Sequence, residues 1–451
     1  MKDSLSSYIR KSIRFWDVKN CGVVIVQGDS TLFRKGFSYK TFSKIEDETQ
    51  FPLASVSKHF TSLMLLKVLR DNNISINSNI FDYIENDSLK KNFLRKNITF
   101  KDLLNHNLGF KNYEKDFYLF ENRYSKKEIL EKVYSDTLPS KKSYGYHNAG
   151  YILIGELIET ISGVEYEDYL KEEFLYVLKM FNTHADYNNY ISDIKNVDFF
   201  KGKKNIKVKS IQSNKFKPAG GIYSTLKDMD SWIKYLLKEP NPLLSRVFDT
   251  IYIKNETHPY NKDSKLNYQL GLKTQYYSGK KIYFHYGGLP GIVTALYLIP
   301  EIEVGFFIFC NKNNTPLTTM ISYEILDSFL SLPYRNYSMW SKSYHDKMES
   351  KNELEHQIQN NKIINNNILG KYKNVDYGEI KIIQKESEVV LLFENHGELK
   401  ATLDYNDDVK LIFKTNSLIY PKILIEKKQN EREIELSFFE SDPHKYKFVR
   451  L

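Results

Sequence analysis

Ser55 and Lys58 lie three residues apart in Phe51-Pro52-Leu53-Ala54-Ser55-Val56-Ser57-Lys58-His59-Phe60-Thr61. On a helix that spacing puts both side chains on one face, with their heads in reach of each other. A serine hydroxyl is a poor nucleophile until a neighbouring base takes its proton. A lysine amine becomes that base when burial or nearby positive charge lowers its pKa toward neutrality. The start of a helix adds backbone N–H groups, Ser55's own among them, aimed where an oxyanion would form. Val56, Phe60, Leu63, Met64 and Val68 recur with helical period, which predicts a buried helix behind the serine.

The spacing by itself is not specific. Ser-x-x-Lys also occurs at Ser88/Lys91, Ser192/Lys195, Ser224/Lys227, Ser231/Lys234 and Ser278/Lys281, and most such pairs in a lysine-rich chain are solvated surface residues. What distinguishes Ser55 is the long apolar helix that follows it, so partners elsewhere in the chain must carry the rest.

The elements that would bring partners to Ser55 are legible in outline. Leu5, Ile9, Ile13 and Trp16 predict an amphipathic opening helix, and apolar runs around Gly28-Asp29 predict a β-hairpin. Thr99 and Asp102 form a capping-box variant at a helix start that ends near Gly109. Tyr146-His147-Asn148 precedes an apolar helix closing at Ser162-Gly163, and Pro218 to Thr225 is a glycine-rich turn before a helix containing Trp232 and Leu236. Tyr283-Phe284-His285-Tyr286-Gly287-Gly288 reads as a strand running into a turn, followed by strands Val293 to Ile299 and Val304 to Cys310 and a helix Thr318 to Leu330. Strands at both ends with helices between them predict an antiparallel sheet with helices packed on it, the α/β or α+β class. A charged, Asn-rich stretch at 336–367 reads as a linker between a first domain, 1–335, and a second, 368–451. The short alternating runs of the second predict a small β-barrel or sandwich.

Ser55-x-x-Lys58, Tyr146-x-Asn148 and His285-x-Gly287, in that order, resemble the motifs of the penicillin-recognising serine hydrolases. The branch is that of class C β-lactamases, D-aminopeptidases, DD-peptidases and related esterases. The resemblance covers roughly residues 8–332 and extends to His106-Asn107-Leu108-Gly109 and to Pro218–Thr225. It implies the β-lactamase/transpeptidase-like fold, an antiparallel sheet flanked by helices with an all-helical region, and an acyl-enzyme on Ser55. Lys58 and Tyr146 would share the base and acid roles, with Tyr146 as phenolate or shared-proton partner. Asn148 would offer its amide to a substrate carbonyl, and His285 would hold a carboxylate or the tyrosine hydroxyl. Gly287 would let backbone approach substrate, and the N–H of Gly288 would join that of Ser55 as an oxyanion hole. The chain departs from the family pattern in having His147 between Tyr146 and Asn148, Pro139-Ser140 in place of a Pro-Gly turn, and Val177-Leu178-Lys179-Met180 in place of Pro-Leu-Gly-Met. From Leu369-Gly370-Lys371-Tyr372 onward the chain is similar to the small lipocalin-like β-domains that follow this catalytic domain in relatives.

Composition narrows the remainder. At 451 residues two domains are expected, and 41% hydrophobic residues with 14% aromatic ones describe a globular chain. The net charge of +9 is spread over the sequence with no basic run interleaved with aromatics, so no nucleic-acid partner is expected. His258, His345 and His356 have no ligand spacing, and neither H-E-x-x-H nor paired C-x-x-C occurs, so no metal is expected. No P-loop or convincing dinucleotide fingerprint occurs, and no cofactor is expected. His396 and His444 read as surface residues, and Cys21 and Cys310 as core. With no apolar leader and no run of eighteen apolar residues, a cytoplasmic protein without a membrane span is expected. The expected partner is a small molecule or short peptide: a serine acyl-hydrolase would cleave its amide or ester. The alternatives are a thioesterase-like peptide cyclase passing the acyl group to an amine, and a silent binding protein on the same fold.

Overall fold

The computed structural model describes residues 2–39, 45–93, 97–120, 124–135, 139, 141–192, 198–201, 206–208, 214–238, 251–252, 265–313, 315–337, 341–342, 368–374, 378–385, 388–393, 400–406, 410–415, 422–428, 432–437 and 445–451. Lys195, Ser140, His258, His345, His356, His396, His444 and nearly all of the expected linker lie outside them. The chain divides into two compact units, Met1–Ser338 and Met339–Leu451.

The first unit is built on an eight-stranded sheet. Its strands in chain order are β1 (Asn20–Gln27), β2 (Ser30–Ser38), β3 (Phe51–Pro52), β4 (Phe199–Lys201), β5 (Ile206–Val208), β6 (Tyr223–Ser224), β7 (Ile251–Tyr252), β8 (Asn267–Gln269), β9 (Leu272–Tyr277), β10 (Lys280–Leu289), β11 (Ile292–Ile299) and β12 (Val304–Cys310). The large sheet runs β2-β1-β12-β11-β10-β9-β8-β7, while β3–β6 and β4–β5 form separate two-stranded ladders. Every described pairing in it is antiparallel. The helices are α1 (Lys2–Phe15), α2 (Ser57–Asp71), α3 (Asp87–Phe93), α4 (Phe100–Leu104), α5 (Lys126–Val133), α6 (Asn148–Ser162), α7 (Tyr166–Leu170), α8 (Tyr187–Ser192), α9 (Lys217–Gly220), α10 (Leu226–Leu237) and α11 (Leu317–Phe329).

Both faces of the central strands are covered, which is why β12 is apolar throughout and buried along its whole length. Its alternate residues Phe306 and Ile308 join Leu5, Ile9 and Ile13 of α1 and Leu317, Met320 and Ile321 of α11 in one core. Phe307 and Phe309, on the opposite face by the two-residue period, stack on Phe51 with ring centroids 5.7 and 4.5 Å apart. Phe51 in turn leads directly into the Ser55 turn.

α2 is enclosed nearly all round over its first turns, because α6 and α9 pack on it and Phe60 stacks on Trp232 of α10. The predicted capping box at Thr99/Asp102 is present, and α6 stops at Gly163 in the left-handed region, φ 70°. One expectation fails locally. Gly287 and Gly288 are not a turn but continue β10 to Leu289, and the reversal comes at Pro290-Gly291, where Gly291 has φ 85°. The glycine at 287 answers a packing demand instead of a chain reversal. A Cβ there would lie 2.2 Å from Thr294 Oγ1 and 2.4 Å from the Leu53 carbonyl oxygen.

The second unit is a closed antiparallel barrel of β13 (Gly370–Asn374), β14 (Gly378–Lys385), β15 (Glu388–Phe393), β16 (Lys400–Asn406), β17 (Lys410–Thr415), β18 (Lys422–Lys427), β19 (Glu433–Ser437) and β20 (Tyr446–Arg450). β13 closes it on β20 through Tyr372 opposite Arg450. Ile380, Ile382, Leu391, Leu411, Phe413, Ile423, Ile425, Leu436 and Phe448 are buried, in keeping with the inward-facing positions of a small barrel.

Candidate active site

Ser55 sits in a 3₁₀ turn, Ala54–Val56, that leads without a break into α2 at Ser57. Ala54, just before it, has φ 51°, a conformation that costs an L-residue about 1–2 kcal/mol. The surroundings impose it. The Leu53 N–H donates to the Ile222 carbonyl at 2.8 Å, and Thr294 Oγ1 donates to the Leu53 carbonyl at 2.8 Å. The Ile222 N–H donates to Ser57 Oγ at 3.1 Å. The turn is therefore held between the segment before β6 and the β10–β11 pair, and Gly287 is the residue whose missing side chain makes room for it.

Lys58, one turn on, is fully buried. Its Nζ lies 2.6 Å from the Ala219 carbonyl oxygen, 2.7 Å from Asn148 Oδ1 and 3.2 Å from Ser55 Oγ. The first two are carbonyls, able only to accept. A neutral amine has two hydrogens and one lone pair. With both hydrogens on the carbonyls, the lone pair is left facing the serine hydroxyl. Burial lowers the Lys58 pKa from 10.5 to about 7, opposed by the carboxyl of Asp116. The free base is thus within reach near neutral pH.

Tyr146 reaches this pair from a loop pinned at several points. Gly109 N–H donates to Ser143 O at 3.0 Å and Gly145 N–H to His106 O at 3.0 Å, while Tyr146 N–H donates to Asn112 Oδ1 at 2.7 Å. Gly145 passes so close to Phe110 that a Cβ would lie 1.8 Å from its carbonyl oxygen. The Tyr146 hydroxyl faces Ser55, and Lys58 Nζ lies 4.9 Å from its ring centroid. Burial and the neighbouring tyrosines hold the phenol pKa well above its usual 10. Of the two expected states, the phenol and not the phenolate is the resting one.

Asn148 opens α6 and is engaged at both ends of its amide: Oδ1 accepts from Lys58, and Nδ2 donates to Asp116 Oδ2 at 2.6 Å. Its oxygen holds Lys58, and one of its two N–H donors is not used by the bond to Asp116. His285 is bonded to a tyrosine hydroxyl, though Tyr268's and not Tyr146's. The His147 N–H donates to His106 Nδ1 at 3.2 Å, so His106 carries its hydrogen on Nε2 and donates to Tyr268 Oη at 3.2 Å. Tyr268 donates to His285 Nε2 at 3.2 Å, and His285 Nδ1–H donates to the Tyr286 carbonyl at 2.6 Å. Burial, reinforced by the Lys58 charge, holds both imidazoles well below the usual pKa. A neutral His285 with both nitrogens occupied is not a cation waiting for a carboxylate. At Gly288 a Cβ would meet nothing within 4 Å, so this glycine borders open space beside the Ser55 turn.

The competing Ser-x-x-Lys pairs go elsewhere. Ser224 Oγ bonds Thr183, Lys227 pairs with Glu48 and Lys234 with Asp230. Asp116, Tyr268 and the Ala219 carbonyl are the parts that sequence reasoning missed. Only Ala219 had a signal, the Pro-Ala-Gly-Gly turn. Among the described residues no group of three or more His, Cys, Asp or Glu could hold a metal ion, and no helix is long and apolar enough to cross a membrane.

Comparison with known proteins bears on this site. A sequence model of the Beta-lactamase family matches residues 14–327. An unguisins hydrolase of Aspergillus campestris is 24% identical over 374 residues, 77% of this chain and 68% of that one. Protein flp of Staphylococcus aureus is 21% identical over 329 residues, 71% of this chain and 65% of that one. This chain thus spans about two thirds of the length of these relatives. The octameric penicillin-binding protein homologue of Pyrococcus abyssi superposes with a TM-score of 0.62 at 18% identity, over 99% of both chains, which establishes a shared fold.

Proposed function

This chain belongs to the Beta-lactamase family, and from that premise we propose that it is a serine acyl-hydrolase cleaving an amide or ester of a small peptide through an acyl-enzyme on Ser55. Lys58 takes the Ser55 proton as Oγ attacks the acyl carbon. The N–H groups of Ser55 and Gly288 receive the developing oxyanion. The proton passes through the Tyr146 hydroxyl to the leaving group, and the same pair then deprotonates the water that releases the acid. The observation that carries this reading is the hydrogen-bond count at Lys58: two carbonyl acceptors use both hydrogens of the neutral amine, and Ser55 Oγ occupies the third direction. The similarity to an enzyme named as an unguisins hydrolase supports a hydrolytic reaction.

Intact-protein mass after incubation with a fluorophosphonate tests it. One adduct, absent from Ser55→Ala, is expected. Absence of any adduct with acylating probes would turn the reading toward a binding protein on the same fold.

A further inference from the structure

Asp116 lies on a segment with no catalytic signature, in Lys115-Asp116-Phe117, yet its carboxyl is buried directly behind Asn148. Oδ2 accepts from Asn148 Nδ2 at 2.6 Å, and the carboxyl lies at the start of the fifteen-residue α6, whose first backbone N–H groups favour its charged form. Oδ1 has no hydrogen-bond partner. The Asn148 amide is the only link between this carboxyl and Lys58 that the hydrogen bonds of the described residues provide.

An amide can face Lys58 in two ways, and they have opposite consequences. With Oδ1 toward Nζ, the amide takes one lysine hydrogen and leaves the lone pair for Ser55. With Nδ2 toward Nζ, it would donate into that lone pair and cancel the base. As a carboxylate, Asp116 has only acceptors, and Oδ2 is the one that meets the Asn148 amide. An acceptor behind Asn148 admits only the first orientation.

We infer that Asp116 is a positioning residue that fixes the Asn148 amide with its oxygen toward Lys58, and that its carboxylate supports the lysine's charged form once the Ser55 proton has moved. This rests on the proposed role of Ser55 and Lys58. Burial raises the Asp116 carboxyl to about 7, opposed by the Asn148 hydrogen bond and the Lys58 charge. The other titratable groups near the pair are His106, Tyr146, His147, Tyr151, Tyr268, His285 and Lys273, with Tyr134 and Lys115 on the Asp116 side. The histidines are held neutral and the listed tyrosines held as phenols by burial, leaving Asp116 as the negative charge acting on Lys58.

The test is the second-order rate of fluorophosphonate labelling at Ser55 across pH 5–10. Asp116→Asn presents an amide that pairs with Asn148 either way round. It is expected to slow labelling about 10²-fold and to move the acid limb to lower pH, because the buried ammonium has lost its counter-charge. On the alkaline plateau, where Lys58 is neutral in every variant, Asn148→Ala and the Asp116→Asn/Asn148→Ala pair should label equally slowly, because the positioning effect of Asp116 acts through Asn148. Asp116→Asn with the parent rate and profile, or additive losses in the pair, would overturn the inference. If the unsubstituted protein is not labelled at Ser55, it is the functional reading that fails. Should Asp116→Asn not fold, neutron diffraction of the unsubstituted protein decides: deuterons on the Asn148 atom facing Asp116 support the inference, and deuterons facing Lys58 overturn it.

Discussion

Lys58 and Tyr146 face the same hydroxyl but have opposite electrostatic fates in the same burial. Removing water disfavours whichever form is charged, so it drives the ammonium toward the amine and the phenolate toward the phenol. In the proposed mechanism one environment thus suits both the base and the acid. The two should be separable by kinetics. Lys58→Met is expected to slow acylation of Ser55 by about 10²–10⁴-fold, the span of general-base catalysis. Tyr146→Phe is expected to slow turnover of poor leaving groups more than labelling by a fluorophosphonate, whose fluoride departs without a proton. Stopped-flow acylation with activated and unactivated esters measures both, and equal losses for the two leaving groups in Tyr146→Phe would contradict the relay.

At the scale of elements, the site depends on β10 lying against the turn before Ser55. Gly287 has no space for a Cβ beside Thr294 Oγ1 and the Leu53 carbonyl, whereas Gly288 faces open space. Gly287→Ala must push the strand away from the turn, at a cost of about 1–3 kcal/mol for overpacking, and carries the Ser55 N–H out of line with it. Gly288→Ala leaves the packing unchanged. Chemical denaturation should show lower stability for Gly287→Ala and parent stability for Gly288→Ala. Equal stability of the two variants would mean that the strand has slack which this geometry denies.

Across the whole molecule, what the sequence disclosed followed from how local each signal was. The opening helix, the hairpin, the Thr99 capping box, α6 with its Gly163 stop and the alternating runs of the second unit are patterns within a dozen residues, and each appears in the structure. The Gly287-Gly288 pair was misread as a turn because its cause, the Leu53 carbonyl, lies more than two hundred residues earlier. Asp116 was invisible for a similar reason: nothing beside it marks it among 56 acidic residues, and its role appears only when α6 brings Asn148 onto it. Tyr268 was hidden among 34 tyrosines until the sheet placed it between two histidines. Family resemblance supplied the nucleophile and its partners; the tautomers, the charge states and the orientation of the amide had to come from geometry.

The central claim is that a neutral Lys58 activates Ser55, and the rate of Ser55 acylation as a function of pH tests it most directly. Because the folded pKa of Lys58 is lowered to about 7, the free amine accumulates as pH rises through that value. The labelling rate should therefore climb through neutrality and level off on the alkaline side. A rate that stays low until about pH 10, where an ordinary lysine loses its proton, would contradict the account.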